Sequence, residues 1–322
     1  MRKILITGGS GYIAKWLIGT LAKINGVEIY LLHRQKLKNT QQIKGCHNIY
    51  CDIRDAKSLF NVLGRIEFNY VIHLAAHAAQ SRNPVSEDSR IETFETNIQG
   101  TWNLLKACED KRLKGFILFS SSLVYANSNT SLIKESSGLY SNSTYGISKI
   151  CSENIAQYYS DTCKIPLIIV RVGMVFGGRD RNITRLVPYI INALLCEKRI
   201  NIRSSRNVLL DPIYIRELIE GIIKILFYFD TNKVTNEIFN LSGGNPIRME
   251  NFIEYILDIF GKEGIVPVYG NERASSRVLS VDKFREKVGL PRSYDIKEAL
   301  RETLSWYVDD RSGKGNNEKV RV

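Results

Sequence analysis

Short apolar segments rich in β-branched residues alternate with longer amphipathic segments along the first half of the chain. The apolar segments have the length and composition of buried parallel strands, and the amphipathic ones have the period of a helix. The predicted strands are KILI (3–6), VEIYLL (27–32), NIYC (48–51), YVIHLA (70–75), FILFS (116–120) and PLIIVRV (166–172). This alternation predicts an α/β protein with a doubly wound parallel sheet, the Rossmann fold, over residues 1–175.

After about residue 175 the alternation loosens, and helical segments are separated by loops and brief strands such as EIFNLS. We interpret residues 176–308 as a smaller C-terminal α+β lobe that binds substrate. Strands or helices from 205–245 are expected to add to the first domain. Residues 309–322 are polar and patternless, which predicts a flexible tail.

A glycine-rich turn, TGGSGYIA, joins the first predicted strand to the first predicted helix. Gly8 and Gly11 let the turn close and let backbone N–H groups approach a pyrophosphate at the positive end of that helix. Ala14 stands where many dinucleotide turns have glycine, and it is small enough for the helix to pack against the sheet. The turn therefore predicts a dinucleotide cradle rather than an ordinary strand-to-helix connection.

The end of the second strand, LLHRQKLK, bears on the choice of coenzyme. An NAD site is expected to place an acidic residue there, whereas Arg34 suits the 2′-phosphate of NADP. NADP(H) is therefore favoured over NAD(H), and the alternative is a basic loop that faces solvent. In CDIRD, Asp52 either accepts a hydrogen bond from the adenine amino group or caps the helix that begins near Asp55.

The segments SSSLVY (120–125) and YGISK (145–149) carry the candidate catalytic groups. Tyr145 and Lys149 are four residues apart, so they share one face of a helix. A tyrosine hydroxyl has a pKa of about 10, and a nearby ammonium favours its phenolate form. A serine at the strand end is placed to hydrogen-bond a substrate oxygen beside that phenol. The set predicts acid/base chemistry coupled to hydride transfer.

Taken in order, these motifs resemble the extended short-chain dehydrogenase/reductase family, in its nucleotide-sugar epimerase/dehydratase branch. Later segments that resemble the family are RVGMVFG, DPIYIREL, FNLSGGNPI and GLPRSYDIKEALRETLSWY, so the likeness covers nearly the whole chain. The resemblance implies that Tyr145 is the acid/base, that Lys149 binds the nicotinamide ribose, and that Ser121 contacts the reacting oxygen.

The resemblance also implies binding roles for further residues. The expected coenzyme contacts are Gly8, Gly11, Tyr12, Ile13, Ala14, Arg34, Asp52, Ile53, Leu74, Ala75, Ala76, Asn97, Tyr145 and Lys149. The expected substrate contacts are Ser121, Ser122, Arg206 and Arg273. A homodimer is expected too, in which helices near 88–110 and 145–160 form a four-helix bundle.

Several positions depart from the family pattern. The 4,6-dehydratases carry an Asp-Glu pair where this chain has Ser122 and Leu123, which argues against that reaction. Met174 replaces an asparagine that commonly touches substrate. Leu210 replaces an arginine that commonly contacts the diphosphate, and Arg203, Arg206 or Arg273 are candidates to replace it.

The composition narrows the class of protein. The chain has 322 residues, of which 44% are hydrophobic and 24% charged, with a net charge of +12. That charge fits a solvated surface with some attraction for anionic ligands, and no nucleic-acid reader motif occurs. The six cysteines show no CxxC or ligand spacing, so no metal site is predicted. With no apolar run of membrane-spanning length or signal-peptide pattern, we predict a cytoplasmic protein without membrane contact.

The leading hypothesis is an NAD(P)-dependent enzyme that acts on a nucleotide sugar, as a C4-type epimerase or a 4-keto-sugar reductase. The alternatives are an NADPH-dependent reductase of a small non-sugar carbonyl and a non-catalytic dinucleotide-binding sensor or scaffold. The complete Ser121, Tyr145 and Lys149 set argues against the non-catalytic alternative.

Overall fold

A computed structural model describes residues 1–36, 45–78, 86–126, 132–272 and 276–311. The strands in these ranges are β1 (Arg2–Thr7), β2 (Val27–His33), β3 (His47–Tyr50), β4 (Tyr70–His73), β5 (Gly115–Ser121), β6 (Leu167–Val172), β7 (Met174–Phe176), β8 (Asn201–Ser204), β9 (Leu209–Leu210), β10 (Pro212–Tyr214), β11 (Asn236–Leu241), β12 (Ile247–Arg248) and β13 (Val268–Glu272). The α-helices are α1 (Tyr12–Leu21), α2 (Ala56–Gly64), α3 (Glu87–Phe94), α4 (Gly100–Cys108), α5 (Thr144–Cys163), α6 (Leu186–Leu195), α7 (Ile215–Thr231), α8 (Met249–Phe260), α9 (Asp282–Lys287) and α10 (Ile296–Arg311).

A seven-stranded sheet with the order β11-β6-β5-β4-β1-β2-β3 forms the centre of the molecule. Every neighbouring pair in it is parallel, and the six strands predicted from the sequence are all present within two residues of their predicted ends. Apolar side chains are buried on both faces of the sheet, which explains why these strands are almost unbroken apolar runs. The predicted doubly wound α/β fold is confirmed.

The segment EIFNLS contributes β11, which pairs with β6 and so extends the central sheet. Three two-stranded sheets, β10–β7, β12–β9 and β13–β8, lie outside it, and the last two are formed entirely by residues after 175. The final helix continues to Arg311, three residues into the predicted tail, and residues 312–322 lie outside the described residues. Among the helices described, none is both long and apolar enough to cross a membrane.

The helical stretch predicted over 88–110 contains a π-helical turn, Glu95–Gln99, between α3 and α4. Close packing surrounds that turn. A Cβ at Gly100 would lie 2.6 Å from the side chain of Ile53, and the Asn103 amide donates to the Ile53 carbonyl at 2.9 Å. The extra residue of the turn brings Asn97 inward, where it is 1% exposed.

A buried ion pair joins α5 to β6. Arg171 Nη2 lies 2.7 Å from Glu153 Oε2, and the two side chains are 3% and 0% exposed. Ser120 also donates to Glu153, and Arg171 donates to the Tyr125 hydroxyl at 3.0 Å. Because both charges are fully removed from water, each depends on the other for its stability.

We expect Arg171→Met to lower the free energy of unfolding by about 3 kcal/mol, because it leaves the Glu153 charge buried without its partner. The double variant Arg171→Met/Glu153→Leu should recover most of that loss, since both charges are then absent. Urea denaturation measures both. The control is Arg90→Met, which removes the exposed ion pair with Glu87 and should change stability by less than about 0.5 kcal/mol. Equal effects of the two single variants would contradict this account.

Candidate active site

The glycine turn has the close geometry that a pyrophosphate cradle requires. Gly8 has a φ of +70°, and a Cβ on it would lie 2.9 Å from the backbone of Ala75. The Gly11 N–H donates to the Gly8 carbonyl at 2.8 Å, after which α1 begins. Gly11 has no side chain to cap α1, and no acidic residue stands in the first turn of that helix. The N–H groups there therefore face the cleft with a favourable dipole for an anion.

A cleft of about 490 Å³ lies over this turn at the carboxyl ends of β1, β4, β5 and β6. Parallel sheets of this topology bind ligands at that edge. Among the residues lining it are the predicted Gly8, Gly11, Tyr12, Ile13, Ala14, Leu74, Ala76, Ser121, Ser122, Tyr145 and Lys149. The structure thus places the glycine turn and the candidate catalytic residues in one cavity, of a size and lining that fit a nicotinamide dinucleotide.

Three predicted coenzyme contacts, Ala75, Asn97 and Ile53, are not among the residues that line this cleft. Asn97 donates to the His77 carbonyl at 3.0 Å and to Ser148 Oγ at 2.8 Å, so it ties the π-helical turn to α5. Ala75 N–H donates to Thr7 Oγ1 at 3.1 Å. Ile53 is 6% exposed and packs against Gly100. The contacts that the structure gives these three residues are therefore with other parts of the protein.

Lys149 and Tyr145 lie side by side in the cleft. Lys149 Nζ is 5.9 Å from the centre of the Tyr145 ring and donates to the Phe119 carbonyl at 2.7 Å. Burial lowers the pKa of Lys149 to about 8, and the neighbouring Glu153 opposes that shift. Burial raises the pKa of Tyr145 above its usual value. At neutral pH the protein alone therefore holds a protonated phenol beside an ammonium group.

Arg185 is a candidate site residue that the sequence analysis missed. It lines the cleft from the loop before α6, and its charge lowers the pKa of Tyr145. Its Nη1 lies 3.0 Å from Oδ2 of Asp180, which is 2% exposed. The Tyr307 hydroxyl of α10 donates to the Asp180 carbonyl, so the last helix holds this loop. The loop has no periodicity, so the sequence alone gave no reason to single out Arg185.

A second cavity, of about 660 Å³, extends from the catalytic residues into the C-terminal lobe. Both cavities are lined by Ser122, Leu123 and Met174, so they meet beside the candidate catalytic serine. Leu210 also lines this second cavity, at the position where the family commonly has an arginine. This cavity is the one that a substrate can occupy next to the coenzyme.

The basic residues predicted for substrate have different positions. Arg203 lines the second cavity, whereas Arg206 does not and places its guanidinium 5.6 Å from the centre of the Tyr269 ring. Arg273 lies outside the described residues. Arg277, four positions further along, lines the cavity instead, and burial lowers its pKa. Arg277 lies in the same segment as Arg273 and belongs to no motif, so the sequence gave no reason to prefer it.

At the other end of the coenzyme cleft, Arg34 and Asp52 line a polar hollow of about 510 Å³. Arg34 forms an ion pair with Glu92 of α3. Asp52 pairs with Arg54, with 2.7 Å between Oδ2 and Nη2. It does not cap α2, since Asp55 does so by accepting from the Ser58 N–H at 3.1 Å.

Comparison with known proteins adds three findings. The model of the NAD dependent epimerase/dehydratase family matches residues 4–242. The dTDP-D-glucose 4,6-dehydratase of Dictyostelium discoideum is 29% identical over 271 residues, which cover 77% of this chain but only 62% of that protein. Two solved structures share the fold over 96% of this chain.

The first is the UDP-glucose 4-epimerase of Thermotoga maritima with UDP-glucose, at a TM-score of 0.86 and 21% identity, with 100% of that chain covered. The second is the UDP-glucuronic acid 4-epimerase of Bacillus cereus with UDP-glucuronic acid and NAD, at a TM-score of 0.84 and 22% identity, with 99% covered.

We expect the affinity for NAD to fall as the pH rises from 7 to 9. The pKa of Lys149 is lowered to about 8, so its side chain is a charged ammonium below this range and a neutral amine above it. The dissociation constant should rise about threefold to tenfold, as measured by calorimetry with the full chain. In Lys149→Met, binding should be weak and insensitive to pH over this range. Lys106→Met, which removes an exposed lysine, is the control and should keep the pH dependence of the wild type.

Proposed function

The chain belongs to the NAD dependent epimerase/dehydratase family, and on that premise we propose that it is a nucleotide-sugar 4-epimerase. Membership confirms the resemblance drawn from its motifs. The observation that carries the proposal is the position of Ser121, Tyr145 and Lys149 where a dinucleotide-sized cleft meets a second cavity. A sugar bound in the second cavity presents a ring hydroxyl to Tyr145. The carbon that bears this hydroxyl then faces the coenzyme.

Each residue then has a distinct chemical task. Tyr145 takes the proton of the sugar 4-hydroxyl and later returns it, and Ser121 hydrogen-bonds the same oxygen. The charge of Arg185 lowers the pKa of Tyr145. The Lys149 ammonium, 5.9 Å from the centre of the Tyr145 ring, favours the phenolate in the same way. Gly8, Gly11 and Lys149 would hold a nicotinamide coenzyme, which would supply the hydride acceptor and donor for C4 of the sugar.

The residues next to Ser121 favour epimerisation over dehydration. Loss of water from the sugar needs an acid and a base beyond the tyrosine, and Ser122 and Leu123 supply neither. Some relatives, such as the Dictyostelium protein, are named as dehydratases, so the reaction must be tested directly. A 4-keto-sugar reductase has the same residue requirements and is distinguished by net consumption of coenzyme.

The size and charge of the second cavity favour a nucleotide sugar over a small carbonyl compound. Its volume of about 660 Å³ is that of a pocket for a large ligand. Arg203 and Arg277 line it, and their charges suit a diphosphate.

We propose NAD as the coenzyme, in place of the NADP(H) favoured by the sequence. The reason is that Arg34, the residue on which the NADP interpretation depended, is paired with Glu92. The Bacillus cereus epimerase of the same fold was solved with NAD.

Tyr145→Phe should lower the turnover rate at least about a thousandfold, because it removes the proton-transfer group. The affinity for the coenzyme should stay within threefold of that of the wild type. The assay incubates the protein with UDP-, dTDP-, GDP- and CDP-sugars and identifies products by NMR. The control is Tyr140→Phe, at a position 64% exposed, which should keep full activity.

The outcomes of this assay separate the candidate reactions. A C4 epimer with no net change in coenzyme supports the proposal. A 4-keto-6-deoxy product identifies a dehydratase and overturns it. Stoichiometric oxidation of NADPH when a nucleotide 4-keto-sugar is added as the substrate identifies a reductase and overturns it too. Undiminished activity in Tyr145→Phe contradicts the assigned mechanism.

We further propose that the protein is a homodimer through α3, α4 and α5. These helices pack together, and they leave several large apolar side chains exposed: Ile91 at 46%, Phe94 at 39%, Trp102 at 48%, Ile147 at 40% and Tyr158 at 63%. An apolar surface of this kind is typical of an interface between subunits. In the dimer, the stretch from α3 to α4 and the helix α5 of each subunit form the four-helix bundle expected from the family resemblance.

Trp102→Glu should convert the dimer into a monomer, because it replaces one of these exposed apolar side chains with a charge. Sedimentation or light scattering measures the mass. Val266→Glu, at a position 82% exposed elsewhere, is the control and should leave the dimer intact. A wild-type monomer at micromolar concentration would rule out this interface.

A further inference from the structure

We infer that Glu92 is a specificity-determining residue, which selects NAD over NADP by holding Arg34 and by adding negative charge at the adenosine ribose. The inference rests on one part of the proposed function, which is that the cleft binds a dinucleotide. Arg34 follows β2, where the adenosine ribose is expected to lie, and Glu92 reaches the same hollow from α3. The sequence gave no sign of this pairing, because the two residues are 58 positions apart.

Contacts on two sides fix the position of Glu92. One carboxylate oxygen pairs with Arg34 Nη1, and the other lies 3.5 Å from Nδ1 of His77. His77 is itself held, since its N–H donates to Asn97 Oδ1 at 2.8 Å and its Nε2 lies 3.1 Å from Ser89 Oγ. The hydrogen bond from Arg34 lowers the pKa of Glu92, so the carboxylate stays charged at neutral pH.

The rest of the hollow repels a 2′-phosphate. Among the residues that the structure describes, its lining contains two arginines, Arg34 and Arg54, against four carboxylates, Asp52, Asp88, Glu92 and Glu95. Arg54 is occupied by Asp52 and by Glu95, whose Oε2 lies 3.0 Å from its Nη1. A phosphate dianion meets a net negative surface there, whereas a ribose 2′-hydroxyl donates a hydrogen bond to a carboxylate.

Glu92 has two effects in this hollow, because it holds Arg34 and also adds a negative charge. Without its charge, Arg34 is released and the surplus of carboxylates falls. The Arg34 side chain is 50% exposed, so once released it can turn towards a phosphate in the hollow. Glu92→Gln is therefore expected to weaken the discrimination against NADP with little effect on NAD.

The experiment compares ADP-ribose with 2′-phospho-ADP-ribose, which differ only in the phosphate, on the full chain freed of bound coenzyme. Calorimetry on the wild type should show at least about tenfold tighter binding of ADP-ribose. In Glu92→Gln, the affinity for 2′-phospho-ADP-ribose should rise about tenfold, and that for ADP-ribose should change less than threefold. Analysis of the coenzyme extracted from the freshly purified protein should give NAD.

Two controls separate the assigned role from a general effect of charge. Glu87→Gln makes the same change on the same helix, outside the hollow, where Glu87 pairs with Arg90. It should leave both affinities unchanged. The double variant Glu92→Gln/Arg34→Ala should lose the gain for the phosphorylated ligand, because the released arginine is gone.

Each result has a clear meaning. A wild type that prefers 2′-phospho-ADP-ribose, or equal effects of Glu92→Gln and Glu87→Gln, overturns the inference. Neither probe carries a sugar substrate. If the selectivity is found and no epimerase activity is, only the proposed reaction fails, whereas a wild type that binds neither probe overturns both.

Discussion

The buried ion pair between Glu153 and Arg171 fixes the catalytic helix on the sheet, and the geometry of the site depends on it. Lys149 and Glu153 are one turn apart on α5 and bind consecutive residues of β5, at the Phe119 carbonyl and the Ser120 hydroxyl. A slip of the helix by one residue breaks contacts to two buried charges at once. Tyr145, one turn before Lys149, is thereby held above the end of β5, where Ser121 stands.

The same burial that fixes these residues also sets their protonation. It lowers the pKa of Lys149 and raises that of Tyr145, so the phenol and the ammonium each move away from the state most useful for proton abstraction. Glu153 opposes the shift of Lys149, and Arg185 opposes that of Tyr145. Because these side chains are buried, the free-energy cost of each charge is high, and each interaction between charges is correspondingly strong.

The sequence predicted the parts of the molecule that local patterns encode. The six strands, the glycine turn and the Tyr145–Lys149 pair each have a periodicity or a motif, and the structure brings them to one sheet edge. The contacts that were missed join distant segments without such a pattern. Arg34 was expected to face a phosphate and instead pairs with Glu92, and nothing in the local sequence indicates which carboxylate an exposed arginine will meet.

The hydrogen bond from Tyr307 to the Asp180 carbonyl has a consequence for the order of biosynthesis. Asp180 pairs with Arg185, so the charge that acts on Tyr145 is held in place by a helix near the end of the chain. The Rossmann strands through β6 are synthesised well over one hundred residues before α10 emerges from the ribosome. A nascent chain can therefore form its glycine turn early, while the contact that holds Arg185 beside Tyr145 is completed only once α10 has been made.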